Sequence, residues 1–320
     1  MKKTILALGA MLTAEMEDLE RKYHLVRLWK EPEPEKTLKT VAQDVVAILS
    51  TFNGMSVTKQ MIEALPNLEI IAQFGAGMNN IDVEAAMHRG VVMTSTPDVP
   101  TNDTADTALA LMLSVLRRIV EADVYVRVGK WGSSPFPMGS SLGGKTIGII
   151  GMGRIGQAIA RRAAAFEMKI AYFGPREKPH LPYHFYSDLE DMARAVDILI
   201  CACPGGEETR HIVNARILKA LGPKGILINV ARGSVVDTES LLAALTHKDI
   251  AGAGLDVYEN EPIVPPALIS MDNVVLLPHI GGHTLETKSA MGQLVIANIN
   301  AHFKGEQLLT PYPSTPVRAA

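Results

Sequence analysis

The sequence predicts an α/β protein built on parallel sheets and divided into two domains. Three observations predict it. The chain has 320 residues, a length that suits two domains. Short apolar runs rich in β-branched residues alternate with helical periodicity, and the rhythm occurs twice, once on each side of a long apolar helix pattern. Such runs suit strands covered on both faces, and the intervening helices make them parallel. The second half also opens with a strand pattern that runs straight into a glycine-rich turn and then a helix pattern, the setting of a nucleotide fingerprint.

The elements follow in order. Lys2 and Lys3 precede the run ILALGAML, which resembles a short signal peptide. The run is short for a signal core and passes directly into an amphipathic helix pattern without an A-x-A site, so TILALG (4–9) is read as the first buried strand. VAILS (46–50), IIAQFG (70–75) and VVMTS (91–95) complete the strands of the first half. A helix is predicted from about Thr101 to Val128, after Pro97 and Pro100, with Thr101, Asn102 and Asp103 available as caps. SSPFPMGSSLGG (133–144) is a Pro/Gly/Ser loop, a linker or a functional arm. The strand rhythm resumes with TIGIIG, KIAYFG, DILICACP, GILINVAR, IAGAGLDV and NVVLLPH. Ser187 to Glu190 reads as a capping box before a helix. The last thirty residues read as helical to about Lys304 and then extended.

The bulk numbers exclude several classes. A net charge of −3 favours neither nucleic acid nor an anionic membrane, and no apolar run reaches a membrane-spanning length. Small anionic substrates stay open, because a few arginines in a cleft need no basic whole. The only cysteines, Cys201 and Cys203, lie two apart on a strand pattern and face the same side. That spacing suits neither a disulfide nor a zinc site, so both are expected as buried free thiols in a reducing cytoplasm. No metal site is expected.

The fingerprint is Gly151-Met152-Gly153-Arg154-Ile155-Gly156. Gly151 permits a tight turn, Gly153 lets the backbone approach a pyrophosphate, and Gly156 allows close packing of helix on strand. The helix N-terminus at Arg154 and Ile155 offers unpaired N–H groups and a partial positive charge to the phosphates. In an NAD enzyme a carboxylate about 20 residues on accepts hydrogen bonds from the adenosine ribose. Here that place falls on Gly174, followed by Arg176 and Lys178 in GPREKP. A glycine removes the repulsion of a 2′-phosphate, and an arginine pairs with it bidentately. The stretch therefore predicts NADPH over NADH, with NAD still possible.

Three apolar strands of the second half end in polar residues: NVARGSVVD with Arg232, GLDVYENEP with Asp256 and Glu261, and LLPHIGGHT with His279. Ligands bind at such strand ends in open α/β sheets. Reducing a 2-keto acid needs a cation for the carboxylate, a proton donor for the developing alkoxide and a partner that keeps the donor protonated. An arginine, a histidine and a glutamate suit those roles. Spacing alone does not single out His279, since the chain has nine histidines and His283 is only four residues further on.

These motifs in this order, together with QFGAGMNNID and TSTPDVPTNDTADTALALML, resemble the D-isomer-specific 2-hydroxyacid dehydrogenase family over nearly the whole chain. VYVRVGKW, GPKGILINVARG and AHFKGEQLLTP bring the resemblance closest to the glyoxylate/hydroxypyruvate reductases and the hydroxyphenylpyruvate reductases. The resemblance implies two doubly wound domains with a cleft between them. A flavodoxin-like substrate domain would comprise 1–98 and 287–320, and a Rossmann cofactor domain 99–286. It implies His279 as general acid and Glu261 as its charge partner. Arg232 would hold the substrate carboxylate and polarise the carbonyl, and Asp256 would support the site. Backbone N–H groups of Ala76 and Gly77 would take the other carboxylate oxygen. It adds Thr104, Cys203, Pro204, Val230, Asp256, His279 and Gly281 as cofactor contacts. An opposite charge beside His279 favours its protonated form, so reduction should slow as pH rises. A homodimer built on the cofactor domain is also implied, with Trp131, Phe136 and Met138 in the contact region.

Some positions depart from the family pattern. Gly282 stands where some relatives place serine. Met78 and Asn79 stand where an apolar residue and Asp are common, and Asn79 is read as structural. Phe52, Asn53 and Met55, on the loop after VAILS, are the candidates for substrate preference. The leading expectation is NADPH-dependent reduction of glyoxylate and hydroxypyruvate. Aryl-pyruvate reduction and a phosphoglycerate-type dehydrogenase are the alternatives, although Ser50 to Val57 offers no cation for a phosphate. A dinucleotide-sensing corepressor is the reading from another class, and it gives no reason for Arg232, Glu261 and His279 to occur together.

Overall fold

The computed structural model describes residues 2–313. The last residues of the expected substrate domain, 314–320, lie outside that range. The chain forms two compact units, Met1–Pro100 with Thr284–Ala320, and Thr101–His283.

Unit 1 begins with β1 (Thr4–Ala7), α1 (Thr13–Lys22), β2 (His24–Arg27), α2 (Pro34–Val41) and β3 (Val45–Thr51). It continues with α3 (Lys59–Ala64), β4 (Ile70–Phe74), α4 (Val83–His88) and β5 (Val92–Thr94). The strands form one parallel sheet in the order β2-β1-β3-β4-β5, a doubly wound order of the flavodoxin type. Both faces are buried because alternate residues feed two cores. Leu6, Ile48, Ile71 and Met93 join one; Ile5, Leu49, Ile70 and Val92 join the other.

Unit 2 starts with α5 (Thr101–Arg117), α6 (Ile119–Arg127), β6 (Thr146–Ile150), α7 (Arg154–Ala165), β7 (Lys169–Phe173) and β8 (His184–Tyr186). It continues with α8 (Leu189–Ala195), β9 (Ile198–Cys201), α9 (Ala215–Leu221) and β10 (Ile226–Asn229). It ends with α10 (Thr238–Thr246), β11 (Gly252–Leu255), α11 (Pro266–Ile269) and β12 (Val274–Leu276). Seven parallel strands lie in the order β12-β11-β10-β9-β6-β7-β8. The strand order reverses between β6 and β9, and β6 leads directly into Gly151. Cys201 and Cys203 are free, buried in the same core, as expected. Burial pushes the Cys203 thiol up to about 11 and Cys201 well above its ordinary value, so neither is a ready nucleophile.

The final helix, α12 (Leu285–Lys304), returns to unit 1. Its end meets the start of β4, where His302 Nε2 pairs with Glu69 at 3.1 Å. Its beginning meets the end of β4, where the Lys288 ammonium lies 5.2 Å from the Phe74 ring centre. The helix therefore runs antiparallel to β4.

Three sequence expectations need correction. The helix expected over 101–128 is two helices, because Arg118 adopts a left-handed conformation (φ 53°) between α5 and α6. The apolar pattern continues across the break, but Ala108, Leu111 and Met112 are buried whereas Ile119, Val120 and Val124 face solvent. The cap of α8 is Asp188, which accepts from Asp191 N–H, not Ser187 as the capping box implied. Strands β2 and β8 were not expected. Both are sheet edges of three or four residues with exposed polar positions, so neither presents a continuous apolar run.

Candidate active site

The turn after β6 has the shape that its glycines require. Gly151 has φ 94°, and a Cβ there would lie 2.6 Å from the Cys203 Cα, while one at Gly156 would lie 2.2 Å from the Gly151 carbonyl oxygen. Turn, helix and the 201–203 segment are thus packed backbone to backbone. Gly153 differs: nothing lies within 4 Å of its Cβ position, and it caps α7 without a side-chain hydrogen bond. The first-turn N–H groups of a twelve-residue helix therefore border open space, an arrangement that suits a phosphate. Gly174 is equally open, and Arg176 is exposed with no hydrogen bond or ion pair to a described residue. Its loop is anchored by Lys178 N–H, which donates to Tyr172 Oη at 2.7 Å. Among the other expected cofactor contacts, Cys203, Thr104, Val230 and Gly281 are buried and Pro204 is exposed. Thr104 lies 3.4 Å from the Cβ position of Gly281.

The ends of β10, β11 and β12 bring Arg232, Glu261 and His279 together. After β10, buried Asn229 accepts from Ala231 N–H at 3.0 Å and donates to the Arg232 carbonyl at 3.0 Å. This shapes the turn that carries Arg232. Gly233 then packs on the chain after β11: a Cβ there would lie 1.9 Å from the Tyr258 carbonyl carbon and 2.3 Å from Glu259 N. Arg232 is thereby held close enough to Glu261 for their charges to act on each other.

Asp256 follows β11 and is almost fully buried. Its main-chain oxygen accepts from His279 N–H at 2.8 Å. Its carboxylate oxygens accept from Ile280 N–H at 2.7 Å and Gly281 N–H at 2.8 Å. Three successive N–H groups thus converge on one residue. They hold His279 in a left-handed conformation (φ 55°) that a histidine rarely adopts. Tyr258 supports the same wall, since its hydroxyl donates to the Leu277 carbonyl at 2.9 Å. Burial pushes that hydroxyl up to about 12, so it remains a neutral donor.

The His279 Nδ1 lies 2.7 Å from Glu261 Oε2, and Tyr258 N–H donates to Glu261 Oε1 at 3.0 Å. Burial acts to raise the Glu261 pKa. The His279 hydrogen bond, the Tyr258 N–H and the charges of His279 and Arg232 outweigh it and leave Glu261 below its ordinary value. An ionised Glu261 only accepts, so Nδ1 carries the proton and Nε2 is the nitrogen that can serve a substrate. Burial lowers the Arg232 value and raises that of Asp256. For Asp256 the Ile280 and Gly281 N–H groups and the His279 charge oppose the rise.

Ala76, Gly77 and Asn53 belong to unit 1. The loop after β4 is tied by buried Gln73, which donates to the Gly77 carbonyl at 3.0 Å and to Asn80 Oδ1 at 2.9 Å. Asn80 donates in turn to Ser50 Oγ and the Thr51 carbonyl. The structural asparagine is therefore Asn80, and the expected Asn79 is exposed with no hydrogen bond to a described residue. The N–H groups of Ala76 and Gly77 donate to no described residue. Met78 is buried in the core, Met55 is half-buried against it, and Asn53 is exposed. No cluster of metal-ligating side chains occurs among the described residues.

Asn229, Tyr258 and Asn80 were not singled out from the sequence. For Asn229 a signal existed: an amide ending a fully apolar strand must find partners there.

Residues 109–281 match the model of the D-isomer specific 2-hydroxyacid dehydrogenase NAD binding domain. The chain is 46% identical over 294 residues to glyoxylate/hydroxypyruvate reductase A HPR2 of Arabidopsis thaliana, covering 92% of this chain and 94% of that one. It is 44% identical to hydroxyphenylpyruvate reductase of Plectranthus scutellarioides, with 96% and 98% covered. Among solved structures it resembles the NADPH-dependent glyoxylate/hydroxypyruvate reductase of Sinorhizobium meliloti in complex with NADP and malonate. The TM-score is 0.91 at 41% identity, with 100% of this chain and 99% of that chain covered.

Proposed function

Because this chain belongs to the D-isomer-specific 2-hydroxyacid dehydrogenase family, we propose that it reduces glyoxylate and hydroxypyruvate to 2-hydroxy acids with NADPH. The observation that carries this reading is the pairing of His279 with Glu261 at 2.7 Å beside the half-buried Arg232. Those are the proton donor, its counter-charge and the carboxylate anchor that reduction needs.

The open Gly153, the uncapped start of α7 and the open Gly174 beside exposed Arg176 fit a dinucleotide with a 2′-phosphate. The residues that would hold it are Gly151, Gly153, Arg154, Ile155, Gly156, Gly174 and Arg176. Cys203, Pro204, Thr104, Val230, Asp256, His279 and Gly281 would complete its surroundings. The bound cofactor supplies the hydride. Arg232 holds the substrate carboxylate and polarises the 2-keto oxygen. His279 gives its Nε2 proton to that oxygen as the alkoxide forms. Glu261 keeps Nδ1 protonated and the ring oriented, and Asp256 fixes the backbone under it. Ala76 and Gly77 offer N–H groups to a carboxylate oxygen, and Asn53 lies on the loop that would meet the rest of the substrate.

In this reading 99–286 is the cofactor domain, and 1–98 with 287–320 the substrate domain. The protein is a cytoplasmic homodimer joined through the cofactor domain. The solvent-facing apolar side chains of Ile119, Val120, Val124, Val128, Trp131 and Met138 support such a contact, and the two buried free thiols support a reducing compartment. No described helix is long and apolar enough to cross a membrane. The similarity to a hydroxyphenylpyruvate reductase favours aryl pyruvates as a second reading. Following NADPH absorbance with glyoxylate, hydroxypyruvate and phenylpyruvate separates the two. Turnover of none of them overturns the proposal.

A further inference from the structure

We propose that Lys288 is a substrate-binding cation of unit 1, the counter-charge for the anion that the Ala76 and Gly77 N–H groups address. This rests on the reductase reading above and adds a residue outside every motif that suggested it.

Lys288 lies in the first turn of α12. Because α12 runs antiparallel to β4, that turn falls at the carboxyl end of β4, where the Gly75 to Gly77 loop begins. The ammonium sits 5.2 Å from the ring centre of Phe74, the residue just before Gly75. Phe74 is buried in the core with Met291 and Val295, which α12 supplies one and two turns further on. The lysine stem is thus carried on packed elements rather than on a free loop.

Lys288 is half-buried, and burial lowers its value; no charge is among the causes. No described carboxylate pairs with it. Of the acids beside this turn, Glu15 accepts from Ser289 Oγ at 2.6 Å, and Glu286 is exposed. A desolvated ammonium without an acid costs folding energy. The Phe74 ring that Lys288 covers directly precedes a loop whose Ala76 and Gly77 N–H groups have no described acceptor. An anion bound there satisfies all three groups at once. Glyoxylate, hydroxypyruvate and their relatives bring such an anion as their carboxylate. The cation comes from a distant segment and not from Ser50 to Val57, which offers none.

The test compares the parent with Lys288→Met, which keeps the stem against Phe74, and Lys288→Arg, which keeps the charge. Steady-state rates are read with NADPH and two substrates: glyoxylate, which is anionic, and methylglyoxal, which is neutral. A hydrogen bond to a charged group corresponds to a tenfold to hundredfold change in affinity. Lys288→Met is therefore expected to raise KM for glyoxylate about tenfold or more with little change in kcat or in KM for NADPH. The effect with methylglyoxal is expected to be much smaller, and Lys288→Arg to recover most of the loss. An unchanged glyoxylate KM in Lys288→Met overturns the proposal. So does an equal loss with methylglyoxal, which marks a merely structural lysine. If the parent itself turns over no 2-keto acid, the reductase reading fails instead. If Lys288→Met does not fold, Lys288→Gln and Lys288→Arg carry the same comparison.

Discussion

Replacing Gly233 with alanine tests how the site is assembled. The added Cβ would lie 1.9 Å from the Tyr258 carbonyl carbon, 2.0 Å from its oxygen and 2.3 Å from Glu259 N, where ordinary contact begins at 3.4 Å. All three neighbours are backbone atoms, so no side chain can swing aside. Restoring contact at the nearest one needs about 1.5 Å of movement between the Arg232 turn and the 258–261 segment. That segment carries Glu261, and through it the 2.7 Å bond to His279. A misplacement of about 1 Å at a reacting centre costs roughly a hundredfold in rate. Gly233→Ala is therefore expected to lower kcat for glyoxylate at least about a hundredfold. Overpacking of this kind costs about 1–3 kcal/mol, which corresponds to a fall of roughly 4–8 °C in Tm for a loss near 2 kcal/mol. NADPH affinity, read by fluorescence titration, should change little, because Gly151 to Gly156 follow β6 and Arg176 follows β7, whereas Gly233 follows β10. Steady-state kinetics and calorimetry on one preparation decide it. A variant that keeps a third or more of the parent kcat refutes the claim that this backbone contact sets the Arg232–Glu261 geometry.

Arg176→Ala should raise KM for NADPH about tenfold to a hundredfold and leave KM for NADH nearly unchanged, since a bidentate pair with a 2′-phosphate is lost only in the first case; equal effects on both cofactors would contradict the assignment. Glu261 is held below its ordinary value, so the stability that it contributes is present above the unfolded carboxylate value and is lost as pH falls through the lower, folded one. Thermal melts of the parent should therefore decline below about pH 4, and Glu261→Gln should lose part of that decline while its reduction rate near neutrality falls about a hundredfold or more. Asp256→Asn replaces one of the two oxygens that receive Ile280 and Gly281 N–H with an amino group; kcat should fall tenfold or more with KM for glyoxylate less affected, and an unchanged kcat would remove Asp256 from the support of His279.

What could be read from the sequence was what repeats or carries charge. Strands buried on both faces announce themselves as apolar runs, so β1, β3, β4 and the central strands of unit 2 were legible. The edges β2 and β8 bury too little to leave a run. Arg232, Glu261 and His279 stand at the ends of apolar strands, where a parallel sheet gathers its ligands, but spacing did not single out His279 among nine histidines, and only the family resemblance assigned the roles. Their supports were less legible. Asn229 bonds residues two and three ahead, and its signal was the amide ending an apolar strand; Tyr258 and Asn80 are neutral, and their roles depend on partners that only the fold brings within 3.1 Å. The reading of Asn79 as structural failed for this reason, since a family pattern aligns positions but does not say which amide faces Ser50. Lys288 was the furthest out of reach. Its place at the end of β4 follows from the direction of α12, which periodicity cannot supply. The same logic bears on what evolution can tune here. The dyad and its arginine are interlocked through backbone contacts at Gly233 and Asp256, so substitution there disturbs all three. Lys288 is tied to none of them, and changing it should shift which anions are accepted while leaving His279, Glu261 and Arg232 in place.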